Sequence, residues 1–519
     1  MKKKWFKRTL GLMMVATVLL TGCGGGSETT EGGDGASTST TSASDNDFKS
    51  VETFAYGSLD PHVDYYSWHS QKYGLTETLY RINDDMELEP WLAESATTDE
   101  SGQVTTVVLK DGVCFSNGTP LTSEMVKRNF ERLIEKNNRF LYMADWTITP
   151  VDDKTFTIDT GAPYPTIVND LATPELCMLD LDATTDFVSN PIATGPFKVE
   201  TFVPEGDITL VRNDNYWGGE VICDSVTFYS MSDDQSKLMA MQNGEIDAYD
   251  NITSSDIELF SQDPDTYDLY SVPMQMRGYA FMNSERLPQS VREAITLMVD
   301  REAIASFMPG MFTATATIFD TDADYGVAQP PATDVDKARE VLEADGYVLT
   351  NGVYMKDGQP LKVTLACYAS RNIDTIAVLL QEQLNAFGIQ AEIALKEDPD
   401  GTYMTDRDYE IGFYRSITDK TGDPITFLEF AVQSSGYGNV AGFGNEETDA
   451  LIQQYRYEMD EAKRNELANE IMQQYYDSYT ILVLNCYNRN TVMRKGVTNF
   501  NENNPYEFYG VSAATTPAN

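Results

Sequence analysis

Histidine is almost missing from this 519-residue chain, which has only His62 and His69. Seven residues apart, they fit no common metal motif. A Ser-His-Asp hydrolase needs a base that cycles near neutral pH, and the sequence also lacks a G-x-S-x-G segment. It contains no G-x-x-x-x-G-K-[ST] loop for ATP. We therefore expect no enzyme, no cofactor and no metal site, although 81 acidic residues keep a glycosidase carboxylate pair as a remote alternative.

Cysteine is scarce and widely spaced, and no C-x-x-C motif or zinc spacing occurs. Apart from Cys23, five cysteines remain, which is an odd number. Most of them sit in apolar stretches, as Cys367 does. We expect them to be buried as small hydrophobic side chains, with a disulfide framework as the weaker alternative.

Basic residues are also few, with 37 Lys and Arg against 81 Asp and Glu, a net charge of −44. The negative electrostatic potential of such a protein repels nucleic acids and anionic lipid headgroups, so we expect no nucleic-acid partner. A solvated acidic surface explains the charge most simply, and attraction of cationic ligands is the alternative. No apolar run of membrane length follows residue 47, so the body is expected to be one soluble ectodomain.

The N-terminus does contain a short apolar run, at residues 10–20, after a lysine-rich start. Eleven residues are too few to span a bilayer of about 30 Å, and this layout is typical of a signal peptide. Leu20-Thr21-Gly22-Cys23 resembles the lipobox of bacterial lipoproteins. The resemblance implies that the signal peptide covers residues 1–22 and that Cys23 is lipidated. Residues 23–47 are rich in Gly, Ser and Thr and contain almost no apolar side chains, so we expect them to form a flexible tether. An ordinary secreted protein is the alternative.

Hydrophobic periodicity predicts an α/β fold. Residues 361–395 alternate as a strand, follow helical spacing up to Gly388 and alternate again, which predicts a parallel βαβ unit. Helices are expected at 291–305, 334–345 with Thr333 as N-cap, and 447–476. Short strands such as 104–109 and 155–158 dominate the N-terminal half, and 480–492 is strand-like again.

Four blocks of sequence carry a family resemblance. They read LDPH (59–62) with EPWLAES (89–95); LKDGVCFSNGTPLT (109–122); ATGPF (193–197) with RNDNYWGG (212–219) and GEID (244–247); and VREAI (291–295) with VDRE (299–302). In this order they resemble bacterial extracellular solute-binding protein family 5, the substrate-binding lipoproteins of oligopeptide, dipeptide and nickel ABC importers. The resemblance covers nearly all of the ectodomain.

The resemblance implies a two-lobed periplasmic-binding-protein-like fold with a hinge and a ligand cleft between the lobes. Residues 48–272 would form lobe I with an extra strand-rich subdomain, residues 273–481 lobe II, and residues 482–519 a return to lobe I. The cleft would close over an oligo- or dipeptide and deliver it to an ABC permease and ATPase complex. We expect a monomer on the outer face of the cytoplasmic membrane, held by the anchor on Cys23.

The resemblance also implies the site residues. Asp419 is the candidate for the peptide ammonium, although it lies one residue further from Pro424 than the peptide-binder pattern places it. The other candidate ligand-binding residues are Tyr65, Tyr66, Trp68, Arg139, Arg415, Tyr437 and Asn439. A nickel or other metal chelate is the alternative ligand. Glu175 stands near where nickel-type members carry an arginine, which argues against that alternative.

Overall fold

The structure of the chain is a computed structural model that describes residues 46–370 and 372–518. The predictions for Cys23, the signal peptide and all but the end of the tether lie outside these residues. In the described part, no helix is both long enough and apolar enough to cross a membrane.

The first part of the chain is rich in short strands, as predicted. Its strands and helices are β1 (Asp47–Glu52), α1 (Tyr66–Lys72), β2 (Tyr80–Ile82), β3 (Leu88–Pro90), β4 (Ala93–Thr98), β5 (Val104–Leu109), α2 (Ser123–Lys136), β6 (Thr147–Pro150), β7 (Thr155–Asp159), α3 (Ile167–Asp170), β8 (Phe197–Phe202), β9 (Ile208–Arg212), β10 (Ser225–Ser230), α4 (Asp234–Gln242), β11 (Ala248–Asp250) and α5 (Ser254–Ser261). Apart from β11, these strands form two four-stranded sheets, β1-β10-β9-β8 and β4-β5-β7-β6, and the pair β2-β3.

The remaining part alternates strands with longer helices. Its elements are β12 (Tyr267–Met282), α6 (Gln289–Met298), α7 (Arg301–Phe307), β13 (Phe312–Ala314), α8 (Val335–Ala344), β14 (Val348–Thr350), β15 (Val353–Lys356), β16 (Gln359–Pro360), β17 (Lys362–Tyr368), α9 (Ile373–Phe387), β18 (Gln390–Lys396), α10 (Tyr403–Asp406), β19 (Ile411–Ile417), α11 (Ile425–Phe427), α12 (Glu446–Tyr457), α13 (Glu461–Asp477), β20 (Ile481–Arg494), β21 (Thr498–Phe500) and β22 (Val511–Thr516). A seven-stranded sheet runs β11-β20-β12-β19-β17-β18, with β13 also paired to β20.

The βαβ prediction is confirmed. Strands β17 and β18 pair in parallel, with Lys362 opposite Gln390, and α9 connects them. Helix α9 ends at Gly388, whose φ of +114° is left-handed and suits glycine. Strand β19 adds to β17 in parallel, so three strands present their carboxyl ends at one edge of the sheet.

Helix boundaries differ from the predictions in three places. Residues 291–305 divide into α6 and α7, and residues 447–476 into α12 and α13. The breaks occur because Asp300 and Asp460 adopt extended backbone conformations and cap the following helices with their side chains. Helix α8 is capped by Asp334, whose carboxylate accepts from the Lys337 amide at 2.9 Å, and not by Thr333.

Strands β12 and β20 are the longest in the described structure and pair over most of their length. Val272 lies opposite Arg489 and Ala280 lies opposite Leu482. The register shifts between Pro273 and Arg277, which marks an irregular stretch in the middle of the pair.

Four cysteines are buried, as expected: Cys177, Cys223, Cys367 and Cys486. Cys114 is only half-buried, and none of the five described cysteines forms a disulfide.

Candidate functional site

A cavity of about 520 Å³ lies at the carboxyl edge of β17, β18 and β19. Parallel strands direct their following loops to this edge, which is where α/β sheets usually place ligands. The cavity is closed by residues from the first part of the chain and from the C-terminal segment. Its described lining consists of Tyr65, Trp68, Met276, Tyr368, Ser370, Glu397, Asp398, Pro399, Asp400, Tyr414, Arg415, Ile417 and Glu507.

Tyr65 and Trp68 form one aromatic wall of this cleft. They stand at the start of α1, and their rings meet edge to face with centroids 5.9 Å apart. Trp68 also packs on Phe508 at 5.7 Å, which ties the wall to the C-terminal segment. The Arg139 guanidinium sits 3.7 Å from the Tyr65 ring centroid and holds that ring by a cation–π contact.

The opposite wall comes from β17 and β19. Arg415 Nη1 lies 3.0 Å from the Met276 sulfur, and its guanidinium is 5.9 Å from the Tyr487 ring centroid. Burial raises the pKa of Tyr368 to about 12 despite the opposing effect of Arg415, so this hydroxyl stays neutral and available for hydrogen bonding. Tyr414 donates to Asp400 at 3.3 Å.

Carboxylates dominate the charge of the cleft. Glu397, Asp398 and Asp400 follow β18, and Glu507 faces them from the C-terminal segment. Arg415 is the one cationic side chain in the described lining. Burial raises the pKa of Asp400, while the hydroxyls of Tyr414 and Tyr437 oppose the shift. The cleft therefore offers aromatic faces, several anions and one cation to a ligand.

Three predicted site residues, Tyr65, Trp68 and Arg415, meet in this cleft. Tyr437 lies at its edge, 64% exposed and hydrogen-bonded to Asp400. Tyr66 instead faces Tyr56, with ring centroids 6.4 Å apart.

Arg139 stands beside the cleft and outside its lining. It forms an ion pair with the buried Glu175 at 2.8 Å and donates to the backbone carbonyl of Asp64. The Asn439 amide braces its own loop, donating to the Gln433 carbonyl at 3.0 Å and accepting from the Phe443 amide at 3.1 Å.

Asp419 is buried below the loop that follows β19, with a relative exposure of 2%. One carboxylate oxygen accepts from the Tyr325 hydroxyl, and the other accepts from the Gly422 and Asp423 amides at 2.7 and 3.2 Å. Burial raises the pKa of this carboxyl. The protein itself therefore holds this carboxylate in place through Tyr325 and the following loop, and the role of Asp419 toward a ligand stays a prediction.

The acidic segment 397–400 and the tyrosines Tyr368 and Tyr414 were not predicted as site residues. Their signal was the βαβ pattern itself, because the loops at the carboxyl ends of parallel strands are candidate ligand positions. Glu507 carried no such signal, since only the tertiary structure brings the C-terminal segment to the cleft. Among the residues that the structure describes, no group of three or more His, Cys, Asp or Glu side chains could hold a metal ion.

Comparison with known proteins supplies the family. Residues 87–439 match the bacterial extracellular solute-binding proteins, family 5 Middle. The chain is 26% identical to the nickel-binding protein NikA of Staphylococcus aureus over 410 residues, covering 77% of this chain and 81% of that protein. It is also 26% identical to the oligopeptide-binding protein OppA of Bacillus subtilis over 515 residues, covering 90% and 91%.

A solved structure extends the match to three dimensions. The chain superposes on a nickel ABC transporter protein from Bacillus halodurans with a TM-score of 0.79 and 27% identity, covering 91% of this chain and all of that one. The α/β, two-lobed periplasmic-binding-protein fold expected from the resemblance is confirmed.

Proposed function

Because the chain belongs to the bacterial extracellular solute-binding proteins of family 5, we propose that its cleft captures small peptides for an ABC importer. The main support is the mixture of groups in the cleft. A peptide carries an ammonium and a carboxylate at its ends, and the lining offers carboxylates such as Asp400 and Glu507 together with Arg415. The aromatic wall of Tyr65 and Trp68 suits varied side chains. The relationship to the B. subtilis oligopeptide-binding protein agrees with this ligand class.

Closure of the cleft follows from the proposed division into lobes. Tyr65, Trp68 and Glu507 belong to the segments 48–272 and 482–519, whereas Tyr368 and Arg415 belong to 273–481. A peptide bound between these groups would hold the two lobes together. The closed form would then dock on the permease and ATPase complex. No catalytic step is part of this function, and a monomer suffices for it.

A metal chelate is the second candidate ligand, because the chain is also related to nickel-binding proteins. The chelate would have to bring its own ligands, since the described residues form no metal-binding cluster. The ion pair of Arg139 with Glu175, at 2.8 Å, argues against this candidate. A neutralised arginine is a weak receptor for the carboxylates of a chelate.

Calorimetry on ligand-stripped protein distinguishes the two ligands. We expect binding heat with a pool of di- to pentapeptides and none with a nickel–histidine chelate. Arg415→Gln should weaken peptide binding about tenfold or more, because a charge-assisted hydrogen bond to the ligand is lost. Arg286→Gln is the matched control, since Arg286 forms surface ion pairs with Asp408 and Glu410. Chelate binding without any peptide binding would overturn the proposal.

We also propose that Cys23 carries a lipid anchor and that residues 23–47 tether the body to the membrane. The family is extracytoplasmic, which agrees with this location. An anchored receptor stays close to its permease, which raises its effective concentration there.

A further inference from the structure

The proposed lobes also touch outside the lining of the cleft, where α3 meets the loop that follows β19. The Asn169 amide, in α3, donates to the Thr421 carbonyl at 2.7 Å. Asn169 belongs to the segment 48–272 and Thr421 to the segment 273–481, so this hydrogen bond crosses from one proposed lobe to the other. Groups that are buried at this contact become more exposed to water when the lobes separate.

Carboxylates from both proposed lobes face each other at this contact. Asp170, the last residue of α3, lies close enough to Asp423 and Glu429 for both to act on its charge. Asp423 is buried, and the other two residues are half-buried. Like charges repel more strongly where water is scarce, so full ionisation of these carboxylates opposes the contact between the lobes.

The basic groups at this contact lie on one side of it. Arg456 forms an ion pair with Glu429, and Arg464 attracts Asp423. The Tyr455 hydroxyl donates to Asp423 at 2.8 Å. All of these residues belong to the segment 273–481, so they leave the carboxylate that approaches from the other lobe without direct compensation.

Asp170 is held by neutral donors. The hydroxyls of Tyr164 and Tyr142 donate to its Oδ2 atom at 2.9 and 3.1 Å. The four groups that act on its charge most strongly are these two hydroxyls and the carboxylates of Asp423 and Glu429. The other titratable and charged groups around the contact are Asp419, Tyr325, Glu175, Arg139 and Lys420.

Burial at this contact makes the carboxyl groups hold protons near neutral pH. It raises the pKa of Asp170 to about 7 and that of Asp423 to about 6, and it also raises the pKa of Glu429. A carboxyl group in free contact with water ionises near pH 4. Closing the lobes should therefore take up protons, and the closed form should gain as the pH falls from 8 toward 5.5.

Other groups with unusual pKa values do not offer the same link to closure. Burial lowers the pKa of His62 to about 4 and lowers that of His69 as well, so both histidines stay neutral over this pH range. Burial raises the pKa of Glu77 to about 7. Glu77 accepts from Tyr216 and Trp217, both at 2.7 Å and both of its own lobe, so closure leaves these partners in place.

We propose that Asp170 and Asp423 form a proton-operated latch between the lobes. While both are ionised they repel each other across the contact, and a proton on either one removes this repulsion and lets the lobes close. A lower pH then favours the closed form and tighter ligand binding. The latch rests on the proposed function, because it acts on closure over the same ligand. Protonation of the cleft carboxylates, such as Asp400, would have the opposite effect, since it weakens their attraction for a peptide ammonium.

Calorimetry with a peptide of the pool at pH 5.5 and pH 8 tests the latch. The parent protein should bind about tenfold more tightly at pH 5.5, since a pKa change of one unit on closure alters the equilibrium by up to about tenfold. Asp170→Asn removes the charge and keeps an oxygen acceptor for the tyrosines. It should bind at pH 8 nearly as tightly as the parent does at pH 5.5. The control Asp265→Asn, at an exposed position, should keep the pH dependence of the parent.

Small-angle X-ray scattering of the ligand-free protein adds a measurement that needs no peptide. The radius of gyration of the parent should fall between pH 8 and pH 5.5, because more molecules are closed at the lower pH. Asp170→Asn should show the smaller value at both pH values, whereas Asp265→Asn should change as the parent does. If Asp170→Asn fails to fold, Asp423→Asn replaces it with the same expectations.

The remaining outcomes overturn the latch. Equal peptide affinity at both pH values, weaker binding at pH 5.5, or a pH dependence that Asp170→Asn and Asp423→Asn both retain would do so while the peptide function stands. If no peptide binds at either pH, the peptide function fails and scattering alone decides on the latch. A radius of gyration that does not change with pH then overturns it.

Discussion

Asp170 is a buried residue whose surroundings strongly change the pKa of its carboxyl group. Its carboxylate accepts from the hydroxyls of Tyr164 and Tyr142 at 2.9 and 3.1 Å. Burial raises its pKa to about 7, and the nearby charges of Asp423 and Glu429 add to the shift. The adjacent Asn169 donates to the Thr421 carbonyl at 2.7 Å, so this group lies where the proposed lobes touch.

The raised pKa of Asp170 predicts how its contribution to stability depends on pH. The carboxyl stays protonated in the folded protein up to about pH 7, whereas in the unfolded chain it ionises near pH 4. Its contribution to stability is therefore full below about pH 4 and is lost as the pH rises to about 7.

Asp170→Asn keeps an oxygen acceptor for both tyrosines without the charge. We expect it to raise the free energy of unfolding at pH 8 by about 1–3 kcal/mol and to change it little at pH 4, measured by urea denaturation. Asp265→Asn, at an exposed position, is the control. An equal effect at both pH values would contradict the assignment.

At the scale of elements, the paired strands β12 and β20 connect the two proposed lobes. Gly278 lies in β12 beside a second register shift, which falls between Gly278 and Tyr279. A Cβ atom at Gly278 would meet the Asn485 side-chain oxygen at 2.5 Å, and Asn485 is fully buried. The close approach of β12 and β20 at this point thus requires glycine.

We expect Gly278→Ala to lower the free energy of unfolding by about 1–3 kcal/mol, because the buried Asn485 has little room to move. Thermal and urea denaturation would measure the change. Gly57→Ala is the matched control, since a Cβ there meets no atom within 4 Å. Adding Asn485→Ala should recover part of the loss, and a strictly additive double variant would argue against the contact.

Much of the element order followed from the sequence. The pattern at 361–395 correctly predicted a strand, a helix and a second strand. The strand and helix periodicities were both clear in this segment, and Gly388 marked the end of the helix. The helix breaks at Asp300 and Asp460 were missed, since hydrophobic spacing continues across an aspartate that caps the next helix. Of the three aromatic residues predicted at the start of α1, Tyr65 and Trp68 line the cleft, whereas Tyr66 faces Tyr56, because residues next to each other on a helix point in different directions.

At the scale of the whole molecule, the proposed anchor predicts that a mutation can abolish membrane attachment without changing peptide binding. Two acyl chains on Cys23 hold a protein stably at a membrane, whereas one chain would be marginal. Cys23→Ser should therefore be released from cells while its peptide affinity stays unchanged, as measured by cell fractionation and calorimetry. Cys114→Ser, within the body, should remain with the membrane. Membrane retention of the Cys23→Ser variant would refute the anchor. Loss of its peptide binding would show that ligand binding depends on the anchored N-terminal segment.

The sequence by itself determined the class of the molecule: an acidic α/β solute-binding protein with a βαβ unit. These properties follow from composition, hydrophobic periodicity and short motifs, all of which can be read from residues close together in the chain. Only the tertiary structure decided which side chains share the cleft. Glu507 reaches it from the C-terminal segment, and Asp419 is buried beneath Tyr325 and Tyr506. Such contacts join residues far apart in the chain, and they are fixed by packing and hydrogen bonding that no local pattern records.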